Sequence, residues 1–324
     1  MGELTGLTVG DLDEAGLLAQ FTAHLPAGPG TILGPGDDAA VIAAPDSRAA
    51  VSLDLLTEGS HFRRDWSTGF EIGVKSATAN VADIVAMGAR PTSLVVGLGL
   101  PLDLPASYLI DLAKGLAHVC EPAGIGVVGG DLIQAPQLLV AIAAYGDLGG
   151  RSPVLRSGAR PGDVLAHVGA LGQSAAGLAL LKAGRRDSHP NLVNAHLQPI
   201  CPLLSGHVIA DAGATAMMDV SDGLLRDAAR IATASAVGLE IDLTSEAIVE
   251  AKAPLASAGE VLEVDPLVWI LGGGEDHGLI ATFSPEAGLP PGFAQIGTVT
   301  TGAGITVTGG ELPDGVAGWD HFGG

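Results

Sequence analysis

Residues 149–163 read GGRSPVLRSGARPGD, a stretch of Gly, Pro and Arg without apolar periodicity, and it divides the chain into two runs of alternating strand and helix patterns. A chain of 324 residues exceeds one typical hydrophobic core. The expected fold class is therefore α+β, two mixed α/β domains at residues 1–150 and 151–324. In the first run a helix is expected over Asp13–Leu25, a mobile Pro/Gly loop through residues 26–38, and a strand over residues 49–56. A helix over Glu71–Met87 follows, with Val74, Ala77, Val81, Ile84 and Val85 on one stripe and Gly88 closing it. Next come a strand at Thr92–Leu100, a helix after Pro105, and strands at Ile125–Val128 and Leu138–Tyr145. The second run offers a strand at Asp163–Val168, a helix at Gln173–Lys182, a helix from Ser221 to Ala236 ended by Gly238, and a strand at Leu239–Leu243.

Aromatic residues make up only 3% of the chain while 47% is hydrophobic, so Ala, Val, Leu and Ile must build the cores. The formal charge of −21 argues against nucleic acid or an anionic membrane as a partner. Cys120 and Cys201 sit in no CxxC or Cys/His cluster, and the apolar segments are strand-sized, so a cytoplasmic protein with neither zinc nor disulfides is expected.

Among many acidic residues, the informative ones are those lodged between glycines and apolar side chains, where solvation is poor. They are Asp37 and Asp38 in GPGDDAAV, Asp54 in VSLDLL, Asp83 in NVADIVAMGARP, Asp131 in VVGGDL, and Asp219 with Asp222 in MDVSDGL. Ordinary turn and cap chemistry accounts for a Gly-Asp or Ser-Asp-Gly taken alone. Asp83 serves no turn, because it falls inside the expected helix. If these carboxylates converge, their repulsion calls for oxygen-seeking divalent cations, and the surrounding glycines suit a polyphosphate bridged by Mg²⁺. Neither a Walker motif nor the protein-kinase HRD/DFG set is present.

Taken in order, GDDAAV, SLDLLTEGSHF, NVADIVAMGARP, VVGGD, LRSGARPGD, MDVSDGL, GGGEDHGL and the final GWDHF resemble the thiamine-monophosphate kinases along nearly the whole chain. Those enzymes share a superfamily with aminoimidazole ribonucleotide synthetase, selenophosphate synthetase and a hydrogenase maturation factor. The resemblance implies ATP-dependent phosphorylation of thiamine monophosphate to thiamine diphosphate, with several Mg²⁺ ions and ATP as co-substrate. It also implies a homodimer whose N-terminal strands form a barrel spanning both copies, with the C-terminal α/β domain closing over the nucleotide.

By position, Asp37, Ser52, Asp54, Asp83, Asp131, Asp219 and Asp222 match Mg²⁺ ligands, Asp54, Asp83, Asp131 and Asp222 being the catalytic set. Gly130, Asp131, Arg156 and Ser221 match ATP contacts, and His61, Glu275 and Trp319 match thiamine-phosphate contacts. Leu53 stands where a hydroxyl residue is usual, so a metal contact there would use its backbone oxygen. His277 and Gly278 replace a usual Tyr-Glu pair. Aminoimidazole ribonucleotide synthetase, a non-catalytic nucleotide- or metal-binding protein and a metal-dependent phosphate hydrolase are the alternatives.

Overall fold

The computed structural model describes residues 6–36, 39–202 and 205–316. They group into two compact units, one of Met1–Ile84 with Arg90–Gly150 and one of Val85–Ala89 with Arg151–Gly324. Among the described residues, no helix is long and apolar enough to cross a membrane.

In the first unit, helix α1 (Glu14–Thr22) precedes strands β1 (Thr31–Leu33) and β2 (Val41–Ile42), which pair antiparallel inside the stretch expected to be loop. Strand β3 (Ala50–Thr57), helix α2 (Gly69–Ala86), strand β4 (Arg90–Leu100), helix α3 (Ala106–Ala123), and strands β5 (Gly126–Gln134) and β6 (Leu139–Asp147) follow. Strands β3 to β6 form one open sheet in the order β3-β6-β4-β5, with only β4 and β5 parallel, joined through α3. Both β3 and β5 are therefore edge strands, and the sheet does not close into a barrel within one chain.

Helices α2 and α3 meet backbone to backbone. A Cβ added at Gly73 would overlap the Leu112 carbonyl oxygen, and one added at Gly115 would overlap that of Phe70. This close approach packs Ile72, Val81, Ile84, Leu109, Leu112 and Leu116 out of water almost completely. The opposite face of the sheet stays open, with Val51, Leu53, Leu55 and Ile133 each more than half exposed.

The second unit runs β7 (Val164–Val168), α4 (Gln173–Lys182), α5 (Pro190–Leu197), α6 (His207–Asp211), β8 (Ala214–Val220) and α7 (Leu224–Ser235). It continues with β9 (Gly238–Asp242), α8 (Glu246–Lys252), α9 (Ala256–Leu262), α10 (Pro266–Gly272), β10 (Gly278–Phe283), β11 (Ala294–Thr300) and β12 (Gly304–Thr308). Its sheet has the order β12-β9-β11-β7-β10-β8 and is antiparallel except where β12 joins β9. Helix α7 starts three residues later than expected, and Ala236 in the left-handed conformation ends it instead of Gly238, which opens β9.

Candidate functional site

Two constellations of the singled-out residues form, one in each unit. In the first unit, strand alternation turns Ser52 and Asp54 toward helix α2 and Leu53 toward the open face. The Ser52 hydroxyl donates to Asp83 Oδ2 at 2.5 Å, so a residue inside α2 meets one on β3. The Asp54 N–H, on the sheet's outer edge, donates to the Asn80 side chain at 3.2 Å, and Asn80 in turn donates to the Ser76 carbonyl one turn back along α2. Asn80 is a site-building residue that the sequence reading passed over; its place three residues before Asp83 in NVAD was the available signal. Asp54 lies within β3 and does not end it.

Asp131 is placed differently. It pairs with Gly97 on β4, which pairs with Ala141 on β6, so Asp131 belongs to the open face of the sheet, opposite to Asp54. Three strand spacings, roughly 14 Å, separate the two edge strands that carry these carboxylates. Beside Asp131 lies a cavity of about 870 Å³, walled by Leu18, Phe21 and Leu25 near α1 and by Val95, Gly130 and Tyr145 on the sheet side. Asp37 and Asp38 fall outside the described residues, but their neighbours Gly36 and Ala39 line this cavity. Gly130 has a structural task of its own, since a Cβ there would overlap the Val96 carbonyl oxygen. Strand β5 thus runs straight through the GGD stretch where the sequence reading ended it. His61 sits just after β3 and accepts the Thr57 N–H at its Nδ1, at 3.1 Å.

In the second unit, buried Asp219 lies near the end of β8, and the Ser221-Asp222-Gly223 turn leads into α7. From the sequence this turn reads as ordinary cap chemistry. The structure commits its amides elsewhere: the N–H groups of Ser221, Asp222 and Gly223 all donate to Asp227 Oδ2, at 3.0, 2.9 and 3.1 Å. Arg230 bridges the other Asp227 oxygen, at 2.6 Å, and Asp222 Oδ2, at 2.5 Å. Burial pushes the Asp227 carboxyl up to about 7, against the pull of the Asp222 amide and the Arg230 guanidinium. Neither Asp227 nor Arg230 belongs to a motif of the sequence, although both lie in the first two turns of the helix that follows SDG in SDGLLRDAAR.

The 273–277 loop lies along this turn. Glu275 N–H donates to the Ser221 carbonyl at 2.8 Å and His277 N–H to that of Val220 at 3.1 Å. Glu275 and His277 both adopt positive φ, and a Cβ at Gly274 would overlap the Ser221 carbonyl, so the loop's shape depends on glycine at that point. His277 Nδ1 stands 3.7 Å from Asp219 Oδ2. Gly278 leaves room for buried His167, whose imidazole burial pushes down to about 3 and so keeps neutral. Asp276, also missed, accepts the Gly172 and Ser174 amides at 2.5 and 2.8 Å and thereby ties the loop to the start of α4. Arg156 is exposed, and its carbonyl accepts the Ser235 hydroxyl. Trp319 lies outside the described residues.

The carboxylate and hydroxyl oxygens in both constellations suit a hard cation such as Mg²⁺. Among the described residues no three acidic, His or Cys side chains gather into a group able to hold a metal alone.

Two family models cover most of the chain: "AIR synthase related protein, N-terminal domain" over residues 36–148 and its C-terminal counterpart over residues 160–310. The thiamine-monophosphate kinase of Mycobacterium tuberculosis is 48% identical over 90% of this chain and 86% of its own length. That of Corynebacterium glutamicum is 42% identical over 91% of this chain and 88% of its own. A solved structure, AaThiL complexed with AMPPCP and TMP, superposes with a TM-score of 0.76 at 30% identity, covering 98% of this chain and 99% of that one.

Proposed function

The chain belongs to the thiamine-monophosphate kinase family, and on that premise we propose that it transfers the γ-phosphoryl group of ATP directly to thiamine monophosphate, giving thiamine diphosphate and ADP. The observation that carries this reading is the 48% identity over 90% of the chain to a thiamine-monophosphate kinase. The solved relative complexed with AMPPCP and TMP supports the same pair of substrates. Both cysteines are buried, as suits a protein of the reducing cytoplasm.

The acceptor oxygen of a phosphate monoester already carries charge at neutral pH, its second pKa being about 6, so no protein base is required. The site's work is to position two anions and offset their repulsion. Asp37, Asp54, Asp83, Asp131, Asp219 and Asp222 would hold Mg²⁺ ions, with the Ser52 hydroxyl and the Leu53 carbonyl as further oxygen donors. When bound, Mg²⁺ supplies neutralisation of the phosphate charge that builds up during transfer.

The Asn80 and Ser52 contacts fix the backbone at Asp54 and the carboxylate of Asp83 before substrate arrives. The cavity beside Asp131 has the size of a small-ligand site and suits the nucleotide, with Gly130 bringing β5 backbone close. Arg156 and the Ser221 hydroxyl complete the ATP contacts, and His61, Glu275 and Trp319 take the thiamine phosphate. Asp54 and Asp131 lie on opposite edges and faces of one sheet, so we place them in one site only by pairing two copies, Asp54 from one and Asp131 from the other.

Incubation with γ-labelled ATP, Mg²⁺ and thiamine monophosphate tests this. Label is expected in thiamine diphosphate and never on the protein. Absence of thiamine diphosphate would remove the activity, and a labelled protein that passes its phosphate to the acceptor would remove direct transfer.

A further inference from the structure

Asp222, a site carboxylate of the second unit, already has a strong cationic partner. Arg230 Nη2 lies 2.5 Å from its Oδ2, while Arg230 Nη1 lies 2.6 Å from Asp227 Oδ1. The restraint runs outward from the core. Asp227 is fully buried and receives three backbone amides on its other oxygen, so it cannot swing away without stranding four donors. Its grip orients the planar guanidinium, whose second nitrogen then meets Asp222 in a set direction. Arg230 is itself one-third exposed, at 34% of its side-chain surface, and Asp222 is 16% exposed. Water therefore screens the outer half of the bridge, and that half can be exchanged.

We propose that Arg230 is a positioning residue that holds Asp222 as a resident counter-cation, and that a divalent ion arriving with the nucleotide must take this carboxylate from it. Arg230 then sets the metal concentration at which Asp222 takes up the ion. In the metal-free chain it also offsets the negative charge of Asp222 and its neighbours Asp219 and Asp227. The proposal rests on the reading of Asp222 as a metal-binding carboxylate. Because the exchanged contact is a partly exposed ion pair, removing it should tighten metal binding only roughly two- to fivefold.

The test is calorimetric titration of Mg²⁺ into the full chain saturated with AMPPCP, so that no turnover is needed. Arg230→Gln is expected to bind Mg²⁺ more tightly by that factor, and Arg230→Lys likewise, because an ammonium cannot span both carboxylates and goes to the buried Asp227, leaving Asp222 free. In an Asp222→Asn background the Arg230→Gln change should leave Mg²⁺ affinity where it was. That last arm separates a hand-over at Asp222 from the general field of a lost positive charge. If Arg230→Gln fails to fold, Arg230→Lys carries the test alone.

Two results overturn the proposal while leaving the metal reading intact: Asp222→Asn weakens Mg²⁺ binding but no folded Arg230 variant tightens it, or the tightening persists undiminished without Asp222. If Asp222→Asn by itself leaves Mg²⁺ affinity unchanged, the assignment of Asp222 to the metal falls, and the proposal with it.

Discussion

At the scale of single residues, buried Asp276 ties the 273–277 loop to the start of α4 through two backbone amides. Burial pushes its carboxyl up to about 6, although the Ser174 and Gly172 amides pull it down. A raised acid takes up a proton in the folded chain, between its ordinary 3.8 and about 6, that the unfolded chain does not bind. Its contribution to stability is therefore greatest below pH 4 and falls as pH rises to about 6, after which it is level. The drop can reach at most about 3 kcal/mol. In Asp276→Asn that slope should vanish, so the advantage of the wild type over the variant in urea midpoint should shrink between pH 4.5 and 6.5. An advantage that grew over this range would mean that the amide donors outweigh burial. None of this could be read from GGGEDHGL, because the two amides arrive from residues 172 and 174, far off in the chain.

At the scale of elements, legibility followed the range of the forces involved. Helix α2 showed in the sequence because an apolar stripe of period 3.6 over some seventeen residues has no competing reading, and the structure places it at Gly69–Ala86. Strand β5 was cut short at Val128 because GGD is good turn chemistry, whereas the actual need for glycine at position 130 is the Val96 backbone one strand away. The start of α7 was misplaced for a like reason: Ser221 and Asp222 are strong capping types, yet Asp227, one turn into the helix, claims the amides they would have served. The same distinction predicts which glycines matter. Gly73→Ala drives a methyl into the Leu112 carbonyl at the α2–α3 crossing and should cost about 2–3 kcal/mol. Gly34→Ala meets only the Thr31 methyl, at 3.6 Å, and should stay within about 0.5 kcal/mol of wild type. Denaturant midpoints of the two variants decide the matter, and equal midpoints would refute the backbone-contact account of α2 and α3.

At the scale of the whole molecule, the sheet of the first unit poses the question that one chain leaves open. Strands β3 and β5 both end the sheet, and on the open face Val51 and Leu53 are each 59% exposed, Ile133 56% and Leu55 51%. Long edges with an apolar face invite pairing, so a second copy is the natural cover. On the proposal that Asp54 and Asp131 serve one site, their places on opposite edges and faces of the sheet make the same demand. Sequence showed both aspartates but not this separation, because strand order and facing are properties of the assembled sheet. We therefore predict a homodimer in light scattering, and a more specific result for mixed variants. Asp54→Asn and Asp131→Asn should each be close to inactive alone. When the two are unfolded together and refolded, half of the dimers are mixed, and each mixed dimer has one site with both aspartates intact and one with neither. Activity should then return to about a quarter of the wild-type value, as random pairing of two subunits dictates. Two inactive variants that stay inactive after co-refolding, while each forms a dimer of native melting temperature, would mean that both aspartates serve the same copy and that the open face has some other purpose.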